Sequence, residues 1–174
     1  WFPTAPVEEN EHQSLGLEGE VTLYQHNQQR LGINWVVDYT EGSLREYQEA
    51  ATQFSFVQGE HYDYDTRSQY QSLNFFFEDA DLDHWNTLIG FRASRMNHDY
   101  QNNLQANTVG RYKRVASRED DYFFVSPYLQ LKRKIKKNTN FILKYDLGGR
   151  TPEVNDLYRQ VSTQIDPDIP VERA

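Results

Sequence analysis

The sequence predicts an all-β protein: an antiparallel up-and-down sheet of about six strands in three hairpins, built as a segment of a transmembrane β-barrel. Three observations carry this. Apolar side chains recur at every second position over six stretches. The polar connections between those stretches alternate short and long. A mean hydropathy of −0.86 coexists with 14% aromatic residues, Tyr 12 and Phe 10 among them. Disordered chains are poor in aromatics, whereas strands whose two faces meet different surroundings are rich in them.

Each stretch can be justified in turn. Residues 1–13 contain two prolines and no period, and are expected to form an irregular lead-in. Residues 14–24 place Leu15, Leu17, Val21 and Leu23 on one face and Glu18, Glu20 and Thr22 on the other. After a turn through 26–29, the set Leu31, Ile33, Trp35, Val37 and Tyr39 alternates with Gly32, Asn34 and Asp38, Val36 being the exception. Residues 68–78 carry Leu73, Phe75 and Phe77 on one face. From Trp85 onward Thr87, Ile89, Phe91 and Ala93 oppose Asn86, Gly90, Arg92 and Ser94. Residues 122–134 show Phe123, Val125, Pro127, Leu129 and Leu131, and the last stretch shows Phe141, Leu143, Tyr145 and Leu147.

The connections after the first, third and fifth strands are short: 26–29, the DADLD turn and the KKNTN turn. Those after the second, fourth and sixth are long, covering 40–66, 97–121 and 151–174. Within the first of these, Ser43 and Glu46 form a capping box, which predicts a short helix. Period two alone fits a sheet packed on a soluble core as well as one facing lipid. Short turns at one end and long loops at the other are the habit of outer-membrane barrels, with the turns periplasmic and the loops extracellular. On that ground Val125, Leu129, Leu131, Phe141 and Leu143 face lipid, and Lys132, Lys144 and Asp146 face a wet lumen. The barrel strands are expected over 14–150, with 151–174 as extracellular loop or tail. A soluble β-rich ligand-binding domain is the alternative. A small complete outer-membrane barrel of eight strands is another, and it lacks two convincing strands.

Composition narrows the function. The net charge is −8, from Lys+Arg 18 and Asp+Glu 26, an acidic balance that argues against a nucleic-acid binder. With no cysteine, thiolate metal sites and thiol nucleophiles are excluded. No apolar run approaches the ~20 residues of a membrane helix, whereas a membrane strand needs only about 9–11. The five histidines lack zinc spacing, and no serine or carboxylate pair forms a catalytic motif. A non-enzyme without a cofactor is expected.

The order of motifs then adds a resemblance. The stretch VSPYLQLKRKIKKNTNFILKYDLGGRTPEVNDLY, residues 125–158, resembles a hairpin of TonB-dependent outer-membrane receptors: a strand of type VSPRLGL, a polar turn, a strand ending in Tyr, then GFRAPSLxELY. Val125, Ser126, Pro127, Leu129, Leu131, Tyr145, Gly148, Arg150, Pro152, Asp156, Leu157 and Tyr158 carry it. One hairpin upstream, WNTLIGFRASRMNHDY is similar to the family's WxLxxGLRYDxxxxDY strand. Gly149 and Thr151 depart from the family's Phe and Ala. The resemblance covers 85–158 by motif and 14–78 by pattern. It implies a barrel of about 22 strands, of which this chain supplies roughly a quarter. It further implies a separate plug domain, absent here, that couples to the inner-membrane TonB complex. The implied partners are outer-membrane lipid and an iron–siderophore or haem-type ligand, and the role is import of a scarce nutrient chelate.

The candidate ligand-binding residues are His61, Tyr62, Tyr64, Arg150 and Tyr158. His61 stands in EHYDYD, and His and Tyr are the usual axial ligands of haem iron. The plainer reading of His61 is a solvated loop histidine, and that of Tyr62–Asp65 the upper end of an early third strand. Arg150 shares parity with Lys144 and Asp146 and would point into the lumen, toward an anionic group or a plug carboxylate. Tyr39, Tyr122 and Tyr145 are expected in an aromatic girdle at the headgroups. Thr151–Pro152 should start a short helix through NDLY.

Overall fold

The computed structural model describes residues 6–50, 58–82, 85–109, 112–136, 138–161 and 172–173. Its main body is one antiparallel sheet of six strands: β1 (Val7–His26), β2 (Gln29–Gln48), β3 (Gly59–Leu82), β4 (Trp85–Asn102), β7 (Arg118–Lys136) and β8 (Thr139–Asp146). Every main strand pairs with its neighbour in the chain, in the order β1-β2-β3-β4-β7-β8, so the sheet is an up-and-down meander. The sheet is not closed on itself. Between β4 and β7 lies a small hairpin, β5 (Thr108–Val109) and β6 (Tyr112–Arg114). After β8 come β9 (Gly149–Arg150), the short helix α1 (Val154–Tyr158), β10 (Arg159–Val161) and β11 (Glu172–Arg173). β10 pairs with β6 and β11 with β9. Among the described residues no helix is long and apolar enough to cross a membrane, which says nothing of strands.

The register shows why the alternation matters. One row across the sheet reads Leu31, Phe77, Ile89, Leu129, Tyr145, and the next reads Ile33, Phe75, Phe91, Pro127. Trp35, Leu73, Ala93 and Val125 form a third. These rows stack on one face, and no described element covers it: Leu15 is 71% exposed and Phe123 65%. An uncovered apolar sheet face of this extent marks a surface that meets lipid or another protein. Phe75 and Phe91 stack at 5.1 Å, and Trp85 meets Phe141 edge-on at 5.9 Å. The opposite face carries the rows Asn34, Asn74, Arg92, Ser126 and Arg30, Glu78, Leu88, Gln130, Lys144. On it Arg30 pairs with Glu20 at 2.6 Å and Glu78 at 3.4 Å.

Connections are sorted by end. At one end His26 and Gln29, Leu82 and Trp85, and Lys136 and Thr139 bring successive strands close together, the first pair through a turn with Asn27 at φ 51°. Asparagine tolerates that left-handed backbone better than most residues. The longer connections leave from the other end, after Gln48, Asn102 and Asp146.

The strands run further than the apolar pattern. Residues 7–13, expected as irregular lead-in, belong to β1 and pair with 41–47. The helix expected at Ser43–Glu46 is strand: Ser43 faces Asp65, Leu44 faces Tyr64 and Glu46 faces Tyr62. A capping box is worth about 1 kcal/mol. Strand pairing on both sides, and burial of Leu44 and Glu46, outweigh it here. Likewise the expected loops 40–66 and 97–121 shrink, because β3 begins at Gly59, β4 continues to Asn102 and β7 begins at Arg118. At 24 residues β3 spans about 80 Å, well beyond its apolar rows.

Candidate functional site

The buried core lies at the loop end, on the polar face, beyond the apolar rows. It consists of Leu44, Tyr62, Tyr64, Tyr100, Tyr112, Leu157 and Tyr158, with Tyr122, Val115 and Val154 against it. β2 supplies Leu44, β3 supplies Tyr62 and Tyr64, and β4 supplies Tyr100. The covering side comes from the loops: Tyr112 on β6, Leu157 and Tyr158 on α1. The β10–β6 pairing ties those two loops into a single cap.

Four of the five sequence candidates meet here. His61, Tyr62, Tyr64 and Tyr158 are all buried, His61 and Tyr158 completely. His61 is therefore not a solvated loop residue: it sits in β3 beside an irregularity in the β2–β3 register, stacked on Tyr112 at 3.9 Å. Its Nδ1 lies 3.1 Å from Glu46 Oε1, a carboxylate that is itself nearly inaccessible. Arg114 of β6 donates to the His61 carbonyl at 2.9 Å and to the Glu60 carbonyl, fixing the cap to the strand that carries His61. Arg150 stands apart, its backbone paired with Glu172.

Tyr158 anchors the second half. Its ring stacks on Tyr100 at 4.2 Å, and its hydroxyl donates to Asp120 Oδ2 at 2.7 Å. The other oxygen of Asp120 accepts from Arg118. Burial, then Asp120, pushes the Tyr158 hydroxyl far above the usual tyrosine range. Burial does the same to Tyr100. Ser68, His98 and Asp120 form one row across β3, β4 and β7. Ser68 Oγ lies 2.7 Å from His98 Nδ1. Burial holds His98 below the ordinary histidine range, with the Pro152 carbonyl and Asp120 opposing. Tyr122, expected in the girdle, instead meets His98 edge-on at 6.2 Å and packs on the core, because its even position turns it to the polar face. Tyr39 and Tyr145 remain on the apolar face, 39% and 58% exposed.

The expected start at Thr151–Pro152 does lead into a helix, α1, one turn long. Glu46, Tyr100, Asp120 and His98 are contributors that the sequence reading passed over. Their signal was there: the even parity of Arg92 and Ser94 continues to His98 and Tyr100. Tyr112 gave none, since only tertiary folding brings it to His61.

Below this core the polar face forms two open grooves of about 470 and 530 Å³. They share Asn34, Asn74 and Arg92. Among the described residues no cluster of metal-ligating side chains occurs. Chemically, the site is a set of stacked rings with two buried acid–base contacts, His61–Glu46 and Tyr158–Asp120. No family model, curated protein or solved structure matches the chain.

Proposed function

We propose that the chain is part of the barrel of a TonB-dependent outer-membrane receptor, importing a scarce nutrient chelate such as an iron–siderophore or haem. One observation carries this reading: an up-and-down sheet with an uncovered apolar face, a polar reverse face and connections sorted by length to its two ends. Lipid is the solvent in which such an apolar face costs nothing. The polar face then lines the lumen, where a plug domain outside this chain would sit and transmit the pull of the TonB complex. The loop-end cap faces outside. His61, Tyr62, Tyr64 and Tyr158 lie beneath it, so a ligand would reach them only with the cap displaced, while Arg150 belongs to the loop behind the sixth strand. The protein acts by binding and passage, not by catalysis.

The test is the chain's solvent preference. In micelles it should give a β-rich, cooperatively melting species, and without detergent it should aggregate. A monodisperse, cooperatively melting chain in plain buffer would sink the reading.

A further inference from the structure

The turn end of β7–β8 carries a concentrated positive charge in an aromatic setting. Lys132, Arg133, Lys134 and Lys136 follow one another along the end of β7 and are all exposed. Among the described residues none of the four has a carboxylate within ion-pair distance. Arg133 instead lies over the Trp85 ring at 5.4 Å, and Trp85 meets Phe141 edge-on. Ile135, 55% exposed, continues the apolar face past them. The nearby described carboxylates are engaged elsewhere: Asp79 accepts from Gln29 Nε2 at 2.8 Å, and Glu78 faces Arg30. At the opposite end the same sheet face is acidic and self-paired, with Arg95 held by Asp121 at 2.7 Å and Arg67 by Glu41 at 3.3 Å.

We infer that Lys132, Arg133, Lys134 and Lys136, with Trp85 and Phe141, form a binding surface for the phosphate headgroups of anionic phospholipid at the turn end of the sheet. The inference rests on the membrane reading above and adds to it an anionic headgroup preference at one end of the sheet. The chemistry fits in three ways. An aromatic pair at the last apolar row belongs at headgroup depth. A guanidinium over an indole is held at that depth with its donors free for phosphate. Arg133 stands on the apolar face, while Lys132 and Lys134 stand on the polar face near the hairpin tip, where long stems can reach past the rim of the sheet with their heads wet. Each cation near an anionic surface strengthens binding by roughly fivefold.

The experiment dilutes the full chain from denaturant into two sets of preformed vesicles and follows its entry by tryptophan fluorescence. One set is pure phosphatidylcholine, the other includes ~30 mol% phosphatidylglycerol, near the anionic content that sets a biological surface potential. The anionic lipid should raise partitioning about tenfold or more, and ~0.5 M salt should abolish the gain. The K132Q/R133Q/K134Q/K136Q variant should partition into phosphatidylcholine normally and lose the gain. An R67Q/R95Q control, which removes two cations from the other end, should keep it. Equal partitioning of the native chain into both vesicles overturns the inference, as does a quadruple variant that keeps the preference. Inorganic phosphate competing beyond sodium chloride of equal ionic strength would show a free-phosphate site and overturn the lipid assignment. A chain that enters neither vesicle defeats the membrane reading, and this inference with it. Entry without preference defeats this inference alone.

Discussion

At Tyr158 two different interactions converge on one side chain. Its ring covers Tyr100, and its hydroxyl satisfies one oxygen of a buried aspartate. They can be separated. Tyr158→Phe keeps the ring and leaves Asp120 one donor short, a cost of about 1–3 kcal/mol. Tyr158→Ala removes the ring as well, for about 3–5 kcal/mol. Denaturant unfolding in micelles should rank native, Phe and Ala in that order. Equal stability of native and Phe would show the hydrogen bond to be idle. Gly90 makes a different point. A β-carbon there would lie 2.5 Å from the Tyr128 hydroxyl oxygen and would also press on the Phe75 carbonyl. The missing side chain is the space the Tyr128 ring occupies on the polar face. Gly90→Ala must push that ring off, with an expected loss of about 1–3 kcal/mol. Gly148→Ala is the control, because nothing lies near its added atom.

At the scale of elements, the cap is a unit built by loops on a strand platform. α1 is too short to hold its own helix, so its order depends on docking. His98 makes that docking sensitive to pH. Ser68 from β3, Asp120 and Tyr122 from β7, and the Pro152 carbonyl and Tyr158 from the α1 segment all face it. Its folded pKa lies below the free value of 6.5, so the released ring binds a proton first as pH falls. Docking should be at full strength above pH 6.5 and weaken as pH falls below it. The protection factors of the 154–158 amides, corrected for the intrinsic pH dependence of exchange, should fall over that range, and His98→Gln should flatten the response. An unchanged slope in that variant would move the effect to another group. This cap also marks what the sequence could and could not say. Alternation located all six main strands, because period two needs only local residues. It misplaced their ends, because Glu46, Tyr62 and Tyr64 are polar or amphipathic and gain an apolar environment only when Tyr112 and Leu157 fold over them. His61 looked solvated for the same reason, its partners being 15 and 51 positions away.

For the molecule as a whole, the open edges set the largest demand. Among the described residues β1 and β8 each pair on one side only, at opposite edges of the sheet. In water an edge can be solvated, but the apolar face cannot. In lipid the face is satisfied, but the edge amides and carbonyls are left with nothing to bond, at several kcal/mol each. Neither solvent suits the sheet alone, so in micelles the edges should find one another. The direction favours this, since β1 and β8 run antiparallel through the meander and can pair as any hairpin does. A chain with no cysteine allows a clean test. Glu18→Cys on β1 mixed with Ile142→Cys on β8 should form covalent dimers rapidly under mild oxidation. Ser72→Cys, in the middle of the sheet, should form them slowly. Equal rates for edge and centre would mean that the edges are covered within one chain. The sheet's demand for further strands would then be met by the chain itself, and the reading of it as a piece of a larger barrel would have to give way to a small closed one.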